Sequence, residues 1–255
     1  MSDTLSDKLP RWKQIAGRIF ALWALVLFIG TMLIAIVFYL PCFLLSDPAK
    51  ARWHRHVSRV WMWFYLNLIG CPLRVTGAGN FVPGQNYVVV CNHNSLMDVP
   101  VSTPFMPRAN KTIAKKSFAR IPLFGWIYTF GSVLVDRKSD ESRRRSYEEM
   151  KRKLDLGLDM VIYPEGTRNR TGNPLKSFYD GAFKLAADTG KPIMPAILLH
   201  TKEVLPPNHF FYLMPHRLEM HFLPPVSTEG KSPQELKQLL FDMMWQYYAE
   251  RDVSF

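Results

Sequence analysis

The pattern of hydrophobic and polar positions divides the chain near residue 70. Ile19 to Leu45 runs 27 residues without a charge, longer than the roughly 20 that a helix needs to cross a bilayer. The stretch is too long for a secretory signal, and no small-residue cleavage site follows it. A helix apolar on every face is also not what a soluble core requires. Pro41 is placed to kink or end this helix. Next, Val57, Val60, Trp61, Phe64, Tyr65 and Leu68 recur at helical spacing, with Lys50, Arg52, Arg55 and Arg59 clustered on the upstream side. Trp and Tyr favour the membrane interface, and basic side chains favour anionic headgroups. Residues 10–70 therefore predict a two-helix membrane anchor.

Beyond residue 70 the pattern changes to short β-branched runs alternating with amphipathic ones. Strands are expected within Pro72–Pro83, at Tyr87–Cys91, Lys111–Ala114, Gly131–Val135 and Met160–Tyr163. Asp140–Asp155 predicts a charged helix with Tyr147, Met150 and Leu154 as its apolar stripe, its Arg143–Arg145 run being a solvated face. Ser232-Pro233-Gln234-Glu235 reads as N-cap, Pro at N1 and capping-box acid. The C-terminal helix it opens has Leu236, Leu239, Leu240, Met243, Met244 and Tyr247 as the expected buried stripe. Such alternation predicts an α/β fold: a central, largely parallel β-sheet flanked by helices, with the two-helix anchor at its N-terminus. The expected division is 1–70 for the anchoring segment and 71–255 for the α/β domain.

Composition narrows the setting. A chain of 255 residues with 48% hydrophobic residues is one domain with an appendage. Its formal charge of +11 favours anionic lipid, nucleic acid or an acidic ligand, and the anchor assigns the basic charge beside it to the membrane rather than to nucleic acid. Cys42, Cys71 and Cys91 form no CxxC pair and cannot all bridge, which points to a reducing compartment. The histidines lack the spacing of a zinc site, and His200, His209, His216 and His221 receive no role. Gly77-Ala78-Gly79 precedes a strand instead of following one, so it is no dinucleotide fingerprint.

Candidate chemistry sits on the turns. Asn92-His93-Asn94-Ser95-Leu96-Met97-Asp98 follows a strand and precedes Val99-Pro100, a helix start. His93 is the usual general base near neutral pH, and Asp98 five residues on is placed to fix its tautomer and stabilise the imidazolium. Those are two of the three parts of a serine-hydrolase triad, the nucleophile being left to a substrate. The structural alternative is a capping box of Ser95 and Asp98. Arg137, at a strand end, is suited to a phosphate or to a surface ion pair with Asp136. Pro164 to Arg170 combines Gly166, which lets a ligand approach the backbone, with Arg168 and Arg170 as a phosphate clamp. Glu165 there is placed to accept from a hydroxyl or orient an arginine.

Together these pieces resemble the membrane-associated glycerolipid acyltransferases, most closely the 1-acylglycerol-3-phosphate acyltransferases. Four blocks in fixed order carry the resemblance. They are NHxxxxD at Asn92, His93 and Asp98; the strand ending in Asp136-Arg137; YPEGTR from Tyr163 to Arg168; and a short strand with a central proline, Ile193-Met194-Pro195-Ala196. The PxFGW loop at Pro122, Phe124, Gly125 and Trp126 also matches. One departure follows the third block: where the family usually has a lysine-rich FKxG turn, this chain has Phe178-Tyr179-Asp180-Gly181, with Lys176 and Lys184 nearby.

The resemblance implies transfer of a fatty acyl group from a thioester to the 2-hydroxyl of 1-acylglycerol 3-phosphate (lysophosphatidic acid), giving phosphatidic acid for phospholipid biosynthesis. His93 would be the general base and Asp98 its orienting partner. Arg137, Glu165, Gly166, Thr167 and Arg168 would bind the acceptor, with Asn92, Gly131 and Lys115 as oxyanion or supporting residues. No cofactor or metal is implied. The donor would be acyl-coenzyme A or acyl-acyl carrier protein, and the other partner the lipid bilayer. Rival readings are an acyltransferase for another acceptor, a metal-dependent phosphoester hydrolase and a non-catalytic membrane scaffold. The hydrolase would need further carboxylates or histidines near the first block, and the scaffold would not need His93 and Asp98 together. The site would face the cytoplasm, where thioesters are made. Charge balances across the apolar run, with Lys8, Arg11, Lys13 and Arg18 before it and Lys50, Arg52, Arg55 and Arg59 after it. Both flanks then belong on the cytoplasmic side. Residues 10–70 are accordingly expected to dip into one leaflet and return, with Gly30 or Pro41 as the bend.

Overall fold

The computed structural model describes residues 10–251. Seven strands form one sheet: β1 (Leu73–Thr76), β2 (Val88–Cys91), β3 (Asn110–Lys115), β4 (Ser132–Val135), β5 (Asp159–Ile162), β6 (Ile193–Leu199) and β7 (Leu218–Phe222). Their order across the sheet is β1-β7-β6-β2-β5-β3-β4. Every pairing is parallel except β6 with β7. The largely parallel sheet is therefore borne out, with the edge pair β1 and β7 running opposite to the other five strands. Burial on both faces explains why β2, β6 and, after Asp159, β5 read as unbroken apolar runs.

Among the described residues, eight α-helices surround or adjoin the sheet: α1 (Arg11–Tyr39), α2 (Ala49–Leu68), α3 (Asp98–Ser102), α4 (Phe124–Phe130), α5 (Asp140–Asp155), α6 (Gly181–Thr189), α7 (Thr201–Val204) and α8 (Pro233–Arg251). One apolar core joins α1 and α2 to one face of the sheet, and a second joins α5, α6 and α8 to the other. The capping box expected at Ser232 is formed: Glu235 N–H donates to Ser232 Oγ at 3.2 Å, and Ser232 N–H to Glu235 Oε2 at 2.7 Å. The α8 stripe needs one correction. Its buried seam is Leu236, Leu240, Met244 and Tyr248, at strict four-residue spacing. Leu239 is exposed, and Met243 and Tyr247 only flank the seam. The helix packs chiefly against α6 and β6 along this seam, so only a narrow stripe is covered.

The apolar run is a continuous helix to Tyr39. Pro41 ends it there, within a short 3₁₀ turn over Leu40–Phe43, as the missing N–H of proline requires. Helix α2 runs back along α1. Its Trp61 Nε1–H donates to Thr31 Oγ1 at 2.9 Å, and Tyr65 OH to the Ala24 carbonyl at 3.3 Å. Small residues (Gly17, Ala21, Ala24 and Ala35) line the buried side of α1. Its other sides carry exposed Ile19, Phe20, Leu22, Trp23, Val26, Ile34 and Phe38. Both ends of the pair are fastened to the sheet domain. The Gly17 carbonyl accepts from Leu213 N–H at 3.0 Å, and Asp47, in the α1–α2 connection, bridges Lys111 at 3.0 Å and Lys153 at 2.8 Å. The basic cluster lies inside α2 rather than ahead of it: Arg55, for example, donates to the Pro107 carbonyl at 2.8 Å. Lys8 lies outside the described residues.

Candidate active site

Strand direction gathers the motifs. Because β2, β5, β3 and β4 are adjacent and parallel, the turns that leave their C-terminal ends share one edge of the sheet. That edge is where open α/β sheets bind ligands. His93 leaves β2, Lys115 ends β3, Arg137 leaves β4 and Glu165 leaves β5. A cavity of about 1180 Å³ lies against them. Its apolar wall includes Leu25, Phe28 and Met32 of α1 and Met62 and Tyr65 of α2, while His93, Lys115, Arg137, Arg168 and Lys176 line its polar side.

The His93 turn is held from several directions. His93 Nδ1 lies 2.7 Å from Asp98 Oδ2, which leaves Nε2 as the ring nitrogen available to the cavity. The same carboxylate oxygen accepts the backbone N–H groups of Asn94 at 2.6 Å and Ser95 at 2.7 Å. Capping and orientation of His93 are thus one arrangement, not alternatives. The reciprocal half of the capping box is displaced, since Ser95 Oγ accepts from Met97 N–H at 3.2 Å instead. Asp98 is fully buried, and its Oδ1 has no hydrogen-bond partner among the described residues.

Glu165 lies beneath the His93 turn. It is fully buried, its Oε1 accepting His93 N–H at 2.7 Å and its Oε2 accepting Lys176 N–H at 3.0 Å. Burial pushes its carboxyl up to about 7, against the lowering effect of those two N–H groups. Asn169 N–H donates to the His93 carbonyl at 2.6 Å. The two turns are therefore laced through both sides of the His93 peptide. A buried carboxyl group between two backbone donors is a brace, and that is where the structure places Glu165, a residue expected at the acceptor.

The basic rim is looser. Arg137 donates to the Gly166 carbonyl, not to Asp136, which accepts from Lys138 N–H at 3.1 Å. The surface ion pair is thereby excluded, and the two motifs meet. Gly166 adopts φ +68, and a Cβ there would run into the Tyr179 ring, so glycine is required on both counts. Lys176 Nζ donates to Thr167 Oγ1 at 2.9 Å beside the cavity. Of the two lysines near the altered FKxG turn, only Lys176 lines the cavity. Lys184 lies over the Tyr147 ring on α5. Asp180 pairs with Lys237 at 2.6 Å, and Tyr179 covers Gly166.

Two of the expected supporting residues have structural duties. Asn92 is buried and exchanges both of its amide hydrogen bonds with the Leu198 backbone of β6, at 2.9 and 2.7 Å. The Gly131 N–H caps α4 through the Ile127 carbonyl at 3.2 Å, and the His54 ring of α2 fills the space a Cβ would need. Both are committed to the fold by these contacts. Sequence reasoning passed over Tyr163, whose ring packs on His93 at 4.6 Å between centroids, its hydroxyl 2.6 Å from Ser102 Oγ. It also passed over Asn94 Nδ2–H, which donates to Tyr248 OH at 3.0 Å. Both lie in noted motifs, but only tertiary contact gives them a purpose. Gly77 is likewise structural, its αL backbone pressed against the Phe222 carbonyl.

Comparison with known proteins agrees with this arrangement. The Acyltransferase family model matches residues 72–199. The chain is 32% identical over 176 residues to the 1-acyl-sn-glycerol-3-phosphate acyltransferase alpha of Mus musculus, an alignment covering 68% of this chain and 61% of that protein. It is 28% identical over 198 residues to the 1-acyl-sn-glycerol-3-phosphate acyltransferase of Cocos nucifera, covering 76% and 61%. The chain thus spans about 61% of the length of these relatives. Among solved structures, the 1-acyl-sn-glycerophosphate (LPA) acyltransferase PlsC from Thermotoga maritima superimposes with a TM-score of 0.81 at 23% identity, over 95% of this chain and 99% of that one. That likeness concerns the fold. The family match covers half of the chain and contains the turns of His93, Arg137 and Glu165, and on that ground the chain belongs to the Acyltransferase family.

Proposed function

We propose that the protein transfers a fatty acyl group from a thioester to the 2-hydroxyl of 1-acylglycerol 3-phosphate. The observation that carries this reading is the His93–Asp98 pair at the polar end of a large apolar cavity, with a basic rim beside it. His93 Nε2 takes the proton of the acceptor hydroxyl as its oxygen attacks the thioester carbonyl. Asp98 holds the tautomer and stabilises the imidazolium. The tetrahedral intermediate collapses with loss of the thiolate, which takes up a proton, so no enzyme nucleophile is needed. Arg137, Thr167 and Arg168, with Lys176, face the acceptor phosphate, where guanidinium groups are favoured. Lys115 stands at the cavity as the remaining supporting candidate. The apolar wall suits the acyl chains. The donor is acyl-coenzyme A or acyl-acyl carrier protein.

The same reading places residues 10–70 in one leaflet as the anchoring unit, with 71–255 on the cytoplasmic side. Its support is that α1 is long and apolar enough to cross a membrane, yet is fastened to the sheet domain at Gly17 and, past its other end, through Asp47. A helix tied at both ends lies along the domain, and the exposed apolar sides of α1 then rest in lipid.

A donor-by-acceptor assay of purified protein in vesicles tests the reaction. The expected result is thioester- and lysophosphatidate-dependent phosphatidic acid formation, insensitive to a metal chelator. Transfer only to a neutral acceptor, or loss on chelation, would overturn it. Single cysteines near Lys8 and Lys50, with the native cysteines replaced, should both resist an impermeant thiol reagent outside intact cells. Labelling near Lys8 alone would show a true span.

A further inference from the structure

The segment between α7 and β7, Pro206-Pro207-Asn208-His209-Phe210-Phe211-Tyr212, presents two aromatic rings to solvent. Phe210 is 95% exposed and Phe211 40%. Rings so exposed on a fixed loop mark a contact surface rather than a core that failed to form. The loop's position identifies the partner. Tyr212 packs flat on Gly17 of α1, with no room for a Cβ between them, and Leu213 N–H is bonded to the Gly17 carbonyl at 3.0 Å. Around that contact α1 exposes Trp12, Ile15, Ile19 and Phe20 together with Arg11, Lys13 and Arg18. Aromatic rings and aliphatic side chains interleaved with cations are the composition of a surface seated in anionic headgroups.

We propose that the 206–212 loop is a second membrane-contacting element, inserting Phe210 and Phe211 at the headgroup–acyl boundary of an anionic leaflet beside the N-terminal half of α1. The inference rests on the membrane reading above and extends it to a part of the chain 140 residues beyond the helix pair. It also gives the loop a reason to be where it is. Leu205, at its start, lines the cavity, and its carbonyl accepts from Ser95 Oγ in the His93 turn at 2.7 Å. The loop thus joins the lipid surface to the turn that holds the base. It fixes the height of the cavity above the leaflet from which the acceptor enters.

The test uses the full chain and vesicles of phosphatidylcholine with phosphatidylglycerol. Cys42, Cys71 and Cys91 are buried, so Phe210→Cys and, separately, Leu22→Cys accept an environment-sensitive fluorophore selectively. The label at 210 should brighten, shift to the blue and be quenched by lipid-borne nitroxide near the headgroups, as should the label at 22. A response at 22 with none at 210 overturns the proposal while leaving the anchoring of α1 intact. Silence at both overturns both. A response at 210 that follows protein concentration without vesicles would assign the rings to another copy of the chain and overturn it also. Phe210→Ser should weaken vesicle binding about tenfold, the lower end of what burial of one Phe gives, with Phe210→Trp restoring it and turnover in detergent micelles unchanged. Equal binding by the Ser and Trp variants would likewise reject the insertion.

Discussion

The two sides of the polar end of the cavity are built differently. The His93 turn is held at every point: the imidazole by Asp98, its peptide N–H by Glu165, its carbonyl by Asn169, and the neighbouring Asn94 and Ser95 amides by Asp98 again. The basic rim is held at few. Arg137 rests on one carbonyl and Lys176 on one hydroxyl. Under the proposed reaction, the difference follows from the tasks. A general base must already be in position when the hydroxyl arrives, because small misplacement is costly. A phosphate clamp gains by keeping its donors uncommitted until the anion supplies the partner.

The largest effect expected from this contrast is on the rigid side. His93→Ala should lower turnover by about 10² to 10⁴ with folding and membrane binding unchanged. Steady-state rates of the purified variant check it, and retention of more than a tenth of activity would remove His93 as the base. Asp98→Asn should approach the same loss. It removes the tautomer control and sets an amide N–H₂ against the Asn94 and Ser95 amides, which need an acceptor.

The rim comes next. Arg168→Ala should weaken the phosphorylated acceptor by about 10- to 150-fold, the span of a charged hydrogen bond, and leave the donor KM nearly unchanged. Arg137→Ala should cost at the lower end of that range, because its guanidinium is already shared with the Gly166 carbonyl. Lys176→Ala should cost less again. An equal loss with monoacylglycerol as acceptor would mean that these residues hold the fold instead of the phosphate.

Legibility in the sequence divides along the same line. The rim residues could be named from the chain because arginines on turns after strands announce their chemistry by type. His93 and Asp98 were legible for the same reason, helped by their spacing. What bracing the site needs was not. Glu165 looks like a ligand-facing acid until the structure buries it beneath the His93 peptide, 72 residues away in the chain. Gly131 and Asn92 looked like oxyanion candidates because sequence shows that a donor exists, not whether it is already spent. Most of the sheet was legible from its apolar runs, whereas β7, and the reversal of β1 and β7 against the other strands, were not, since periodicity carries no direction. The α8 seam was read too wide for a similar reason: helical spacing admits Leu239, Met243 and Tyr247 beside the buried Leu236, Leu240, Met244 and Tyr248, and only the neighbours choose.

The smallest expected effect concerns the brace itself, and it is read in stability. Glu165 carries a carboxyl raised from 4.5 to about 7, chiefly by burial. Between those values the folded protein holds a proton that the unfolded chain releases. The unfolded state then binds fewer protons, so stability falls as pH rises. The contribution of Glu165 is fully present below pH 4.5 and is lost by about pH 7. Glu165→Gln cannot titrate and should lack this component. Melting of the two proteins in the same detergent should therefore show a gap that changes by a few degrees in favour of the variant from pH 5 to pH 7.5. The offset of the gap carries the other half of the argument. Gln keeps one acceptor and turns a donor toward the second backbone N–H, either of His93 or of Lys176. Glu165→Gln should accordingly be less stable at pH 5 and slower at every pH, with the loss in kcat and not in acceptor KM. If the loss fell on acceptor KM alone, Glu165 would belong to the rim, and the division between a braced base and an open clamp would not hold.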